Sequence, residues 1–412
     1  MNNGSRHILF VAELCALDGA GPSAVNGFCF AKALAEAANY QVTLVTSSNV
    51  CPASGIHFHH VPKWVFPFKV AKYIEDSLLA RFTQHPRPGS WAVRARMRCR
   101  KLLKQEQFDG ILAWSNPIGS LFAAIGDRPN RVPLIWRTGD PYPASMYPRY
   151  RLDGEWRSMA SPSCPAALQW LQGNSGSIDA IVSPSELQNE WYGSKAVLEG
   201  PAYSVLPHIG GWDKPPQHPW PVSRSATPLS LAYFGRLSAS RCPEAVLGAL
   251  DQVNSAGDVA HLHFYGPVHD RWKSPLDTYQ QRGQVTMHGT VGFRESLAKM
   301  VEHDALLLLE AEFEKGIFTP SKLADYAWSG RPVIAVSPEG GAVRSWMGQA
   351  HPGFVGFSME ALEGALRDLT HRKERGECAQ NYAVPFTSFS PAEATDAFSQ
   401  TLDHQIAGIE AR

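Results

Sequence analysis

The chain has 412 residues, 44% of them hydrophobic, with 38 Lys and Arg balancing 38 Asp and Glu. That length suits two domains, and that apolar content excludes a disordered chain. Zero formal charge and a pI near 7.3 argue against nucleic acid as the main partner. Seven scattered cysteines with no C-x-x-C pair read as reduced thiols of a cytoplasmic protein. No signal peptide is expected, because a polar stub leads straight into the first strand. No apolar run approaches the roughly 20 residues of a spanning helix.

In chain order, a strand is expected over 7–12, a helix over 24–38 and a strand over 41–46. A helix over 93–107, a strand over 110–114, a helical piece over 121–125 and strands over 132–136 and 179–182 follow. This alternation predicts parallel βαβ units. Residues 201–228, rich in Pro, Gly and Trp, read as an interdomain linker. A second series of strands follows over 229–233, 260–265, 285–288, 305–309 and 332–336, and a last helix over 392–409.

Gly19-Ala20-Gly21-Pro22-Ser23-Ala24 nearly matches the dinucleotide fingerprint G-x-G-x-x-[GA]. That fingerprint also needs an acid at the end of the second strand, where this chain has Val45-Thr46-Ser47-Ser48. The glycines also lie too far beyond Ala12, so the loop reads as a flexible wall of an interdomain cleft. His57-Phe58-His59-His60 and His261-Leu262-His263 have metal-like spacing, but an alternating strand gives the same pattern. No third cluster in the sequence supplies further ligands, so no metal is expected. No D-x-D triplet occurs either.

Arg137-Thr138-Gly139-Asp140-Pro141 follows a strand, at the mouth of a parallel sheet where active sites form; an ordinary Asp-Pro turn is the alternative. Arg94, Arg96, Arg98, Arg100, Lys101 and Lys104 crowd one helical segment, after a loop holding Trp64, Phe66 and Phe68 between Lys63 and Lys69. Basic charge beside aromatics suits docking on an anionic inner-membrane leaflet. A solvated helix face with core aromatics is the favoured alternative.

Two strand ends in the second half carry cations. The strand over 229–233 runs into Phe234-Gly235-Arg236-Leu237-Ser238-Ala239-Ser240-Arg241, where Gly235 permits a tight turn and two guanidiniums can clamp a diphosphate. The strand over 305–309 is followed by a loop and then by Ser321 and Lys322 at the start of a helix. First-turn N–H groups, the positive dipole end and the Lys charge all favour a phosphate there. Asp325, one turn along, is suited to accept from a ribose diol.

G-R-L-x-x-x-R at 235–241 and P-S-K-L-x-D-Y-x-x-x-G-R-P-V-I at 320–334 resemble the donor half of glycosyltransferase family 4. The second motif is most similar to the branch reading S-P-N-K-L-F-D-Y, found in bacterial surface-polysaccharide assembly. Further matches fall in family order at 178–185 and 205–211, and at 285–291 with 297–311. The resemblance implies a GT-B fold, α/β, with two Rossmann-like domains facing each other across a cleft. Residues 1–205 would bind the acceptor, with 386–412 packing back on them, and 206–385 would bind the nucleotide sugar.

The resemblance implies transfer from a UDP- or GDP-sugar to a glycan, lipid-linked or small-molecule hydroxyl, with retention and without metal or cofactor. Arg236, Arg241, Ser321, Lys322 and Gly21 would hold the diphosphate, Asp325 the ribose, and Thr290 and Val291 the base. Asp18, Ser23, Arg137 and Asp140 would line the acceptor side. Arg236, Lys322, Asp140 and Glu312 form the catalytic set. The chain departs from the family at Ile317, where the first of two glutamates belongs, and at His208, which replaces an asparagine. Glu312 or Glu314 would then reach the sugar from a longer loop, or backbone amides would meet its hydroxyls. A nicotinamide-dependent oxidoreductase and a catalytically inactive GT-B partner subunit are the rival readings.

Overall fold

A computed structural model describes residues 5–411 except 18–20, 64–88, 115–117, 127, 130–131, 160–163, 197, 212–213, 217–219, 222–227 and 258. Asp18, Gly19 and Ala20, and Trp64, Phe66, Phe68 and Lys69, lie outside the described residues. The chain divides into two compact units. The first comprises Met1–Tyr147, Met159–Ile209 and Pro391–Arg412; the second comprises Pro148–Ser158 and Gly210–Ser390.

The first unit opens with β1 (Arg6–Ala12), α1 (Pro22–Glu36), β2 (Tyr40–Thr46), β3 (His57–His60), α2 (Gly89–Gln105), β4 (Gly110–Trp114), α3 (Gly119–Ala124) and β5 (Leu134–Arg137). A hairpin of β6 (Tyr150–Leu152) and β7 (Glu155–Arg157) belongs to the second unit. The first unit resumes with α4 (Cys164–Gly173), β8 (Ala180–Ser183), α5 (Glu186–Ala196) and β9 (Ala202–Val205). The second continues with β10 (Leu229–Phe234), α6 (Glu244–Val253), β11 (Ala260–Tyr265), α7 (Asp270–Gln281), β12 (Val285–Gly289) and α8 (Phe293–Met300). It ends with β13 (Ala305–Leu309), α9 (Ser321–Ser329), β14 (Val333–Val336), α10 (Ala342–Met347) and α11 (Met359–Arg375); α12 (Pro391–Glu410) returns to the first unit.

The first sheet runs β3-β2-β1-β4-β5-β8-β9, and its ladders are parallel. Its central strands are near-continuous apolar runs because both faces are covered, as parallel sheets require. Ile8 stands opposite Val42 on one side and Gly110 on the other. One strand, β9, occupies the start of the expected linker and closes one edge of this sheet. Helix α1 starts at Pro22, whose fixed φ suits the first helical position.

The arginine-rich helix α2 is anchored by Trp91, Ala92, Ala95, Cys99 and Leu102. Arg96 lies 5.0 Å over the Phe122 ring. The apolar stripe is therefore a core face, and the cations occupy its flanks. Helix α12 completes the unit: Phe398 meets Phe30 edge-on at 5.7 Å, and Leu402 fills the space above Gly110. A Cβ on Gly110 would come 2.7 Å from the Leu402 Cδ1.

The second sheet, β12-β11-β10-β13-β14, is also parallel. It buries apolar side chains on both faces, Leu231, Tyr233 and Leu307 on one and Ala232, Phe234 and Leu308 on the other. The β6–β7 hairpin lies along the loop after β13: the Arg151 N–H donates to the Glu312 carbonyl at 2.8 Å, and the Glu314 N–H to the Arg149 carbonyl at 2.9 Å. The hairpin turn at Asp153 is held by an ion pair to Arg271. All seven cysteines are free thiols. Among the described residues no helix is long and apolar enough to cross a membrane.

Candidate functional site

In the second unit the order of strands reverses at β10, which pairs with β11 on one side and β13 on the other. Loops at such a switch point form the usual ligand crevice of an open α/β sheet. Both cationic loops arise here. After β10 the backbone turns at Gly235 with φ +117°, a conformation strained for any other residue. The turn also needs close backbone approach: a Cβ on Gly266 would lie 2.3 Å from the Gly235 carbonyl oxygen. The Arg236 carbonyl accepts from the Tyr233 hydroxyl and from Arg241 Nη1, each at 2.8 Å. Arg236 itself is exposed and Arg241 half-buried.

Helix α9 begins at Ser321 after Pro320, which offers no side-chain cap. Its first-turn amides thus lack the usual capping acceptor. Lys322 reaches back from this turn, placing its Nζ 3.9 Å from the centre of the Tyr233 ring. Parts of the Lys322 side chain touch solvent, but the ammonium nitrogen is buried and has no hydrogen-bond partner among the described residues. Burial and then the charge of Arg241 push its pKa well below the usual lysine range; Glu310 opposes them. A desolvated amine over a ring face, with no hydrogen-bond partner among the described residues, is suited to an incoming anion that favours its charged form.

Glu310, absent from the sequence-derived site, follows β13 and is buried. Ser337 donates its hydroxyl to the Glu310 Oε2. Burial raises this carboxyl to about 7, against the Ser337 hydrogen bond and the charges of Arg241 and Lys322. Its folded pKa thus lies above the unfolded value. Its contribution to stability is present below about pH 4.5 and is lost as the pH rises through about 7. Glu310→Gln should therefore gain stability relative to wild type between pH 5 and 8. Urea midpoints at both pH values check this; a difference that does not grow with pH refutes the shift.

Asp325 has work within the chain. Its Oδ1 accepts the Gly211 N–H at 3.0 Å, and burial raises its carboxyl to about 7 against that bond. A Cβ on Gly210 would sit 2.0 Å from the Ala324 carbonyl oxygen, so the Gly210-Gly211 turn crosses directly over α9. Glu312 pairs with Arg151 at 3.1 Å and Glu314 with Arg149 at 2.8 Å, so both acids of the loop after β13 are engaged with the β6–β7 segment. Ile317 is buried. Thr290 is exposed just after β12, and Val291 packs against the core beside it.

In the first unit, Arg137 closes β5 and is 1% exposed. Its guanidinium lies 5.0 Å over the Trp114 ring, and Trp114 Nε1 donates to the Ser23 carbonyl at 2.9 Å. His208, 71 residues away, brings Nδ1 to 3.2 Å from Arg137 Nη2 and 3.0 Å from Asn26 Oδ1. One ring nitrogen cannot both donate and accept. Asn26 Oδ1 can only accept and Arg137 Nη2 can only donate, so the ring nitrogen serves one or the other according to its tautomer. Arg137 Nε has no hydrogen-bond partner among the described residues. Burial pushes the Arg137 pKa down to about 10, opposed by Asp140. Asp140 also hydrogen-bonds Tyr147, whose phenol is pushed up by burial and by that carboxylate. Gly21 is exposed and caps α1, and Ser23 lies in its first turn.

No protein-family model matches the sequence, and no curated protein matches it. Solved structures do match over nearly the whole length. Anabaena HepE, in complex with UDP and glucose, is 15% identical, with 98% of this chain and 99% of that one covered at a TM-score of 0.56. WaaG, a glycosyltransferase of lipopolysaccharide biosynthesis, is 13% identical over 95% and 98% at 0.59. AviGT4, a glycosyltransferase of avilamycin A biosynthesis, is 13% identical over 98% of each chain at 0.53. The chain has the GT-B fold. Polar and charged residues gather in each of its two Rossmann-like units: Arg236, Arg241, Lys322 and Glu310 near Gly235 in the second, and Asn26, Arg137, Asp140, Tyr147 and His208 in the first.

Proposed function

We propose that this chain is a retaining glycosyltransferase, of the family 4 type, that moves a sugar from a UDP- or GDP-sugar to a hydroxyl acceptor in bacterial glycan assembly. One observation carries the reading: the buried, unpartnered Lys322 ammonium at the switch point of the second unit, with Arg241 beside it. Two converging cations at a helix N-terminus suit a diphosphate. HepE, with the same fold, binds UDP and glucose.

In the reaction, the bond between the sugar's anomeric carbon and the β-phosphate oxygen breaks. A new bond to the acceptor oxygen forms on the same face. The acceptor proton passes to the departing phosphate oxygen, so no side-chain base is required. Arg236, Arg241, Lys322 and the Ser321 amide stabilise the charge that grows on the diphosphate. Asp325 serves the ribose, Thr290 and Val291 the base, Gly21 the phosphate and Glu312 the sugar. Ser23, Arg137 and Asp140 serve the acceptor, a glycan, lipid-linked or small-molecule hydroxyl. The protein acts in the cytoplasm, and the basic flanks of α2 suit the anionic inner leaflet.

A screen of purified protein against several UDP- and GDP-sugars, reading release of the nucleoside diphosphate, tests the reading directly. Release from none of them, together with no binding of UDP or GDP, would falsify it. Because cations take the place of a metal at the diphosphate, turnover should persist in excess chelator. Complete loss that magnesium or manganese restores would rule out this neutralisation scheme.

A further inference from the structure

At the opposite end of the first unit's sheet, the amino ends of the strands carry a group of side chains that sugar transfer does not use. His7 lies near the start of β1, His57 opens the edge strand β3, and Glu106 follows the last turn of α2. They are far apart in sequence. The parallel ladders bring them together: His7 faces Gln41 of β2, and Thr43 of β2 faces His57. One ligand atom from each of the three lies within 4.8 Å of the other two. His7 Nε2 is 3.9 Å from Glu106 Oε2.

The second observation is the state of His7. Its Nδ1 lies 3.0 Å from the Gln107 carbonyl oxygen, which can only accept, so Nδ1 carries the proton. Nε2 then keeps its lone pair and points to the group, receiving the Thr43 hydroxyl at 2.8 Å. Metal-binding imidazoles are held in this way, one N–H on a backbone carbonyl, and here a metal would take the Nε2 lone pair from the Thr43 hydroxyl.

We propose that His7, His57 and Glu106 form a zinc-class divalent metal site, with water completing the shell. Two imidazoles and one carboxylate suit zinc, whereas calcium and magnesium favour oxygen ligands. Tetrahedral bonds of about 2.0–2.2 Å place ligand atoms about 3.4 Å apart. The group must therefore tighten by up to about 1.4 Å. His57 is exposed, so its ring can turn inward. The Asp109 carboxylate, which accepts the His7 N–H at 2.7 Å, adds negative potential nearby. Bound metal would fasten the edge strand β3 to β1 and α2, away from the strand ends that carry the transfer loops.

The test uses untagged, metal-free, full-length protein titrated with zinc, by calorimetry and by melting temperature. One zinc per chain should bind and raise the melting temperature. His57→Ala and Glu106→Gln should each weaken binding at least about tenfold and remove the thermal shift. Both side chains lie at or near the surface, and their metal-free melting curves should match wild type. His60→Ala, on the same strand, should bind zinc normally. No zinc binding at micromolar concentration overturns the proposal. So does binding that persists within threefold in both variants, because the ion then sits at another histidine group such as His263 and His288. Turnover of nucleotide sugar plays no part in these readouts, so failure here leaves the transferase reading standing.

Discussion

Replacing Lys322 with methionine should weaken binding of the nucleoside diphosphate by roughly 30- to 700-fold, about 2–4 kcal/mol, and slow turnover to match. The same change should leave the melting temperature no lower than in wild type. The two effects have one cause. The Lys322 nitrogen is buried beside Arg241 with no hydrogen-bond partner among the described residues, so the apo protein bears the cost of a desolvated amine that makes no hydrogen bond. Methionine keeps the packing on Tyr233 and removes that cost. A residue kept for stability would behave in the opposite way. Calorimetry with UDP and GDP, alongside thermal melts, separates the cases. Wild-type affinity in Lys322→Met would remove the diphosphate site from α9.

Asp140→Asn should cut the transfer rate by about 10²-fold or more while leaving diphosphate affinity nearly unchanged. Asp140 stands beside the buried Arg137 and accepts from Tyr147. A carboxylate so held is placed to orient an attacking hydroxyl, an interaction that strengthens only as that hydroxyl loses its proton. The amide of Asn keeps the shape and loses the charge. Tyr147→Phe should give a smaller loss of the same kind, since it frees Asp140 to turn without changing its charge. Product configuration, read by proton NMR coupling, should match that of the donor. An inverted product would make Asp140 the base and replace the same-face mechanism. Equal losses in rate and diphosphate affinity in Asp140→Asn would move the residue off the acceptor side.

The βαβ alternation was legible because parallel strands covered on both faces are written as unbroken apolar runs. Gly110–Trp114 and Ala305–Leu309 could be read to the residue, and Ala260–Tyr265 could be read from its alternation, with His261 and His263 between apolar positions. β9 was not, because its four residues are only partly buried and sit among prolines and glycines. The β6–β7 hairpin was hidden for another reason. Its three-residue strands are rich in charge, and their partners lie some 160 residues away in the loop after β13. The cationic loops were legible because a glycine turn directly follows one strand and a Ser-Lys helix start follows the loop after another. Glu310 was overlooked because one acid at the end of an apolar run looks like the strand simply reaching solvent. Only the fold shows it buried against Ser337. His208 had been marked as a departure from a motif, but no local pattern linked it to Arg137 and Asn26.

The first unit is assembled from both ends of the chain, with α12 supplying Phe398 and Leu402 to a core begun by β1 and α1. During synthesis, that core stays incomplete until the last helix has left the ribosome. Everything the second unit needs, including the hairpin at 148–158, emerges earlier. The domain made second is thus free to fold first, reversing the usual amino-to-carboxyl order. Nascent chains stalled short of α12 should expose the Phe30 face and engage chaperones, while their second unit already resists protease.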